Sequence, residues 1–281
     1  LLMSPLKYLS ASAKIKAGLK NRFSDSNTPL DSTTIPEMLI NSTTYVDSSD
    51  TFKSINESLE VRFTKLPRTT LYIDGDCEQV YGRRREESAR VLGAGSYFFR
   101  DVDIVDYRNK ITAGINWRPY NILSISSQYR RTLIDDTYDV REETPFSATN
   151  TFLDLLDAQR FNGDNFTAKA DIKPYRWIHG TFKYQLKNTD IVTTSAISTL
   201  DSAKVIHYMN TYLASVTLIP TQNFYLTGMF SRQASFTDTP ARLANVAVVP
   251  RYEADVNTAM GSATYIITPK ASLETQYQWV H

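Results

Sequence analysis

Cysteine is almost absent: Cys77 stands alone in 281 residues, which excludes a disulfide framework and any C-x-x-C haem or zinc motif. Histidine is nearly as scarce. His179, His207 and His281 join no Ser/His/Asp arrangement, and no paired-carboxylate motif accompanies them. The glycine pair in Gly93-Ala94-Gly95-Ser96 lacks the strand-to-helix frame of a phosphate cradle. No catalytic residue, metal ligand or cofactor site is therefore expected, and the chain does not read as an enzyme. An excess of one charge is missing too, since 31 Lys and Arg stand against 30 Asp and Glu. That balance gives no basic face for nucleic acid. Nothing approaches the roughly 18 continuous apolar residues of a membrane helix. A β-barrel stays open, because only half of each of its strands faces lipid.

Neither end carries a targeting signature. The opening LLMSPLKYLS has no basic region or small-residue cleavage site, and the closing LETQYQWVH stops in mid-alternation. The expectation is a single partial barrel domain over 1–281, an internal piece of a longer chain.

What the sequence does contain is alternation. Over 9–20, Leu9, Ala11, Ala13, Ile15, Ala17 and Leu19 oppose Ser10, Ser12, Lys14, Lys16 and Lys20. Over 106–118, Tyr107, Ile111, Ala113, Ile115 and Trp117 oppose Arg108, Lys110, Thr112, Asn116 and Arg118. The same period of two, the mark of a half-buried strand, recurs over 55–64, 71–78, 122–131, 165–173, 178–187, 206–218, 224–233 and 272–279. Neither parity is clean over 252–267, where a bulge is expected. These segments make eleven strand candidates.

Short proline turns separate alternate pairs of strands, at 66–69, 118–121, 173–176, 219–222 and 268–271, with a sixth at 4–7. Proline presets the turn and cannot donate to a strand ladder. Long polar loops, 21–53, 80–105, 132–163, 188–204 and 234–250, fill the other connections. The hairpin unit so defined recurs at roughly fifty residues. Tight turns at one end and long loops at the other are the asymmetry of outer-membrane barrels. The fold class expected is all-β, an antiparallel up-and-down meander forming a partial transmembrane β-barrel.

Strands that alternate for a dozen residues match the 9–11 needed to cross a bilayer better than the usual soluble strand of about 5–6. Aromatic residues beside the tight turns, Tyr8, Trp117, Tyr120, Tyr175 and Trp177, suit a membrane–water girdle. The apolar parity is also rich in alanine, which packs a sandwich core poorly. On this reading the polar parity lines a wet lumen: Lys14, Lys16, Arg62, Asp74, Asp76, Glu78, Arg108, Lys110, Arg130, Lys169, Lys183 and Lys187. The alternative is a soluble or surface-exposed sheet, an adhesin, with these charges as its solvated exterior. Asp74, Asp76 and Glu78 form an acidic ladder for which Arg62, Arg108 and Lys110 are the expected cross-strand partners. Cys77 reads as a small lipid-facing residue. A short helix is expected over 149–161, capped by Asn150, with Phe152, Leu155 and Leu156 on one face.

The hairpin pattern, with phrases such as SLEVRFTKLPRTTLYIDGDCEQ and YLTGMFSRQASFTDTPAR, resembles the large outer-membrane barrels of Gram-negative bacteria. Among them it resembles the porin family that sheathes multihaem cytochromes for electron transfer. The likeness covers the whole chain in style and rests on no specific motif, and the N-terminal cysteine pair of some members is not seen. It implies a many-stranded barrel with a multihaem cytochrome in its lumen, against which the polar parity would form an interface. The expected function is an outer-membrane porin or channel passing ions or small solutes, with the lipid bilayer as its partner. The sheath is the alternative.

Overall fold

A computed structural model describes residues 2–30, 42–90, 97–144, 156–195, 203–239 and 251–281. They form twelve strands of one sheet, ordered as in the chain. The strands are β1 (Leu2–Leu6), β2 (Leu9–Leu30), β3 (Ser42–Phe63), β4 (Thr69–Arg90), β5 (Tyr97–Tyr120) and β6 (Leu123–Thr144). They continue with β7 (Leu156–Tyr175), β8 (Ile178–Ser195), β9 (Ala203–Thr221), β10 (Phe224–Asp238), β11 (Tyr252–Thr268) and β12 (Ala271–Val280). Each pairs antiparallel with its chain neighbours, and among the described residues β1 and β12 do not pair with each other. Among the described residues no second layer covers either face. Val102 and Ile104 are the buried hydrophobic residues among those described.

Proline has a narrower place than the turn itself. Pro119 and Pro174 sit in the last residues of β5 and β7, where the ladder shifts register between Trp117 and Tyr120 and between Ile172 and Tyr175. Pro5 and Pro220 stand at the matching shifts of β1 and β9. A residue with no N–H can stay in a strand only where the ladder is interrupted. The turns follow at Lys7–Tyr8, Asn121–Ile122, Arg176–Trp177, Gln222–Asn223 and Pro269–Lys270.

The turns are tied to one another sideways. Tyr8 O accepts from Thr64 N at 2.8 Å, Arg68 O from Arg118 N at 2.9 Å, and Ile122 O from Lys173 N at 2.7 Å. Trp177 O then accepts from Ile219 N at 2.7 Å and Asn223 O from Ile266 N at 2.8 Å. Arg68 reaches its place with φ at 56°, the left-handed region uncommon for a residue with a Cβ. Its guanidinium donates to Pro119 O at 2.8 Å, so both ends of Arg68 engage the next hairpin.

Register sets the tilt of the strands. Thr69 opens β4 opposite Trp117, three residues before β5 ends at Tyr120. Leu123 faces Ile172 with β7 ending at Tyr175, Ile178 faces Leu218 with β9 ending at Thr221, and Phe224 faces Tyr265 with β11 ending at Thr268. These four junctions are thus displaced by the same three residues, while at the first Leu9 opens β2 opposite Phe63, the last residue of β3. At about 3.3 Å per residue and about 4.8 Å between strands, the three-residue stagger tilts the strands roughly 45° from the normal to the row of turns. Membrane barrels show tilts of about 35–45°.

Several expectations need correction. There are twelve strands, not eleven: Leu2–Leu6 is β1, and the turn expected at 4–7 is centred on Lys7–Tyr8. Much of what reads as long polar loops is strand, because β2 to β11 run for 15 to 24 residues. The expected alternation fades in these upper halves because the outer face turns polar and apolar side chains such as Val102 and Ile104 lie on the inner face instead. Within 149–161, Leu156–Phe161 belongs to β7 rather than to a helix, while Asn150, Phe152 and Leu155 lie outside the described residues. The bulge expected over 252–267 falls at its very end: pairing with β10 is continuous from Tyr252 to Tyr265, while the ladder to β12 shifts register between Ile266 and Thr268. The parity of β11 looks mixed because Val256 and Met260 occupy the otherwise polar face. Gly93–Ser96 also lies outside the described residues.

Candidate functional site: the charged face of the sheet

The two faces differ in enclosure, and the polar one is the more enclosed. Along β3 from Thr51 to Leu59, odd positions are exposed and even positions half-buried. Register carries this distinction across the sheet. Ile15, Leu19, Ile55, Leu59, Ile73, Ile111, Trp117, Tyr129, Phe182, Tyr212, Val216, Phe230, Leu273 and Tyr277 share the outer, exposed face. Ile111 is 57 % exposed and Ile15 74 %, with no protein layer to receive either. Cys77 lies on the same face and is half-buried.

Lys14, Lys16, Arg62, Asp74, Asp76, Glu78, Arg108, Lys110, Arg130, Lys169, Lys183 and Lys187 all fall on the opposite, inner face. Asp76 is directly opposite Lys110 and bonds it at 3.2 Å, while Glu78 is opposite Arg108 at 4.0 Å. Arg108 also pairs with Asp106 at 2.5 Å. Arg62 turns instead to Glu60 on its own strand. Asp171 receives Lys169 at 2.8 Å, Thr181 at 2.8 Å and His179 at 3.7 Å. Lys14, Lys16, Lys183 and Lys187 form no ion pair with a described residue. Lys183 stands directly opposite Lys169, an unfavourable pairing unless anions or water intervene.

Near the turns this face opens into a concavity of about 1170 Å³, lined by Arg62, Arg68, Arg118, Lys169, Lys173 and His179, with Asp171 as its carboxylate. At the other end, Asp106 and Asp136 are directly opposed, each with one enclosed oxygen that accepts no hydrogen bond. Burial, followed by the neighbouring Asp106, pushes Asp136 up to about 6. Arg84 bonds the buried Asp50 at 3.0 Å at this level.

Of the girdle residues beside the turns, Trp117, Tyr120, Tyr175 and Trp177 are exposed and Tyr8 is half-buried. Tyr175 and Trp177 stack at 5.7 Å, and Tyr8 meets Phe63 edge-on at 5.8 Å beneath the Lys65 ammonium. Trp117 and Tyr120 complete that row on β5. A second aromatic row, not foreseen as such, crosses the outer face farther up. Tyr81 and Tyr107 meet edge-on with their hydroxyls 3.0 Å apart, and Tyr208 and Phe236, at the matching distance from their turns, stack at 5.3 Å; Phe166, Tyr184 and Tyr212 adjoin one another nearer the turns. From Trp117 to Tyr107 is ten residue steps, about 33 Å along a strand and about 23 Å along the normal at the tilt above. That is close to the roughly 25 Å apolar band of a membrane barrel.

Beyond Tyr81 the outer face becomes charged. Arg83 grips Asp101 through two donors, Nε at 2.7 Å and Nη2, and Arg141 bonds Asp103. The Arg83 guanidinium holds the Asp101 carboxyl below the usual carboxylate range. These residues escape sequence reading because the apolar parity reverses: Asp101 and Asp103 face outward while Val102 and Ile104 face inward. The one signal is the run Gly82-Arg83-Arg84-Arg85-Glu86-Glu87, in which Arg83 and Arg85 share one strand face and Arg84 and Glu86 the other.

No family model and no curated protein matches the chain. Among solved structures, the translocator domain of autotransporter NalP from Neisseria meningitidis aligns over 98 % of this chain and 83 % of its own, at 10 % identity and a TM-score of 0.31. A likeness that slight carries no argument, and the all-β antiparallel meander stands on the strand pairing itself.

Proposed function

We propose that the chain forms the wall of an outer-membrane β-barrel that passes ions or small charged solutes. The observation that carries this reading is the inversion of the two faces. Large apolar side chains occupy the exposed face within a band of membrane height, while the charges occupy the enclosed one. In a soluble sandwich the apolar parity packs against a second sheet; the described residues form a single sheet. Closed into a barrel, such a sheet has no unpaired edge in hydrocarbon. The inner face then lines water, and its basic mouth beside the turns sets a field that favours anionic solutes.

The test is conductance of the protein reconstituted in planar bilayers. Steady current with a reversal potential displaced toward the anion potential is the expected result. Confirmed insertion without current points to the second reading, a sheath around a partner such as a multihaem cytochrome. The height of the wall favours that alternative: strands of 22 residues span about 70 Å, or about 50 Å along the normal, twice the apolar band. Failure to insert overturns both readings.

A further inference from the structure

Above the Tyr81–Tyr107 pair the outer face holds a cleft of about 430 Å³ whose walls include Lys53, Tyr81, Arg83, Arg85, Asp103 and Arg141. Resting on the membrane reading above, we propose that this cleft binds the phosphate of an anionic lipid headgroup.

Three observations converge on that ligand. The first is position. Arg83 lies two residues and Arg85 four residues past Tyr81, about 5 and about 9 Å farther along the normal. An aromatic row marks the edge of the hydrocarbon, and the next several ångströms are the headgroup layer. The cleft faces sideways into that layer and not into the lumen, because Lys53, Arg83 and Arg85 share the parity of Ile55 and Ile73.

The second is charge. The cleft walls carry four cations, Lys53, Arg83, Arg85 and Arg141, and one carboxylate, Asp103. Asp101 lies behind Arg83, and Asp139 and Glu142 stand opposite Asp103 and Asp101 on β6, outside the cleft lining. Lys53 forms no ion pair with a described residue.

The third is preorganisation. Asp101 fixes Arg83 through Nε and Nη2, and Asp103 fixes Arg141, while Arg85 lies over the Phe99 ring at 5.5 Å. Guanidinium groups held in this way match phosphate geometry and lose little side-chain freedom on binding.

The experiment begins with insertion into phosphatidylcholine vesicles, scored by protection of the strands from protease. The inserted protein is then moved to neutral detergent, and retention of phosphatidic acid against phosphatidylcholine is read by native mass spectrometry. Wild type is expected to retain phosphatidic acid with about tenfold preference. Lys53→Gln, which breaks no recorded ion pair, and Arg141→Gln should each reduce it. Equal retention by wild type and both variants overturns the proposal while leaving the barrel reading intact. So does displacement of the lipid by an equal concentration of inorganic phosphate, which would mark a free-phosphate site. Failure of wild type to insert overturns both readings.

Discussion

Along β5 the inner face carries Asp106, Arg108 and Lys110; along β9 the equivalent face carries Thr211, Leu213, Ser215 and Thr217. The contrast extends to neighbouring strands. The inner positions of β10 include Thr227, Met229, Ser231 and Gln233, and those of β11 include Thr258, Met260, Ser262 and Thr264. No Asp, Glu, Lys or Arg stands on the inner face of these three strands among the described residues. Both regions nonetheless share the meander, the three-residue stagger and the apolar outer face. Inner charge is thus not what braces this kind of wall. The ladder on β3–β7 is left over once structure is explained, and that makes it the functional candidate.

The comparison can be broken most severely on the outer face, where the two regions should behave alike. Ile111→Arg on β5 and Val216→Arg on β9 should each lower stability in lipid by about 2–4 kcal/mol, measured by urea titration of the inserted protein. A large loss in one region only would mean that the other does not meet hydrocarbon. On the inner face they should differ. Replacing Asp74, Asp76 and Glu78 by Asn, Asn and Gln should shift permeability toward anions by about twofold or more. Replacing Thr211, Ser215 and Thr217 by Val should leave the permeability ratio where it was. Single-channel reversal potentials decide both.

Above the aromatic row, two carboxylates should give opposite pH slopes. Asp101 is held below its ordinary value by Arg83, so its contribution is complete above about pH 4 and lost as pH falls through the lower folded value. Asp101→Asn should lower the urea midpoint at neutral pH and flatten the acid loss. Asp136 is raised to about 6, so the folded state takes up a proton that the unfolded chain does not. Its destabilising effect is full above that value and relieved as pH falls from about 6 to about 4. Asp136→Asn should raise the midpoint at pH 7 and remove that slope. The smallest effect should come from Pro119→Ala and Pro220→Ala, one from each region. Each should cost about 0.4–1 kcal/mol, because each relaxes the unfolded chain at a compatible bulge.

Sequence reading reached the turn-proximal portion of each strand because an apolar outer face and a polar inner face impose a strict period of two there. It placed Ile111 and Lys110 on opposite faces, and it put Pro119 and Pro174 at hairpin ends. The upper halves were illegible for the converse reason. Around Arg83, Asp101 and Asp103 the outer face is charged while Val102 and Ile104 are buried on the inner one, so the parity that marks the lower halves is reversed there. β1 escaped because Pro5 in so short a segment reads as a turn. Met260 and Val256 on the inner face disguised β11. The ladder from Asp74 to Glu78 was visible as charge, but its partners were legible only in part, since a side chain such as Arg62 reaches Glu60 as easily as the next strand.

The sideways ties between turns bear on how the wall is assembled. A slip of one residue would turn every side chain of a strand to the wrong face. Yet Tyr8 O, Arg68 O, Ile122 O, Trp177 O and Asn223 O each receive one defined amide of the next hairpin. Each turn is a template for its successor, and every strand finds its mates next to it in the chain. Contact order per hairpin stays low, so the slow search across the chain that delays most β proteins is replaced by repeated short ones. Growth is then expected to be directional at the turn end, with long strands zipping away from it. A fault in a distal connection should slow the last zipping step without shifting the register already fixed.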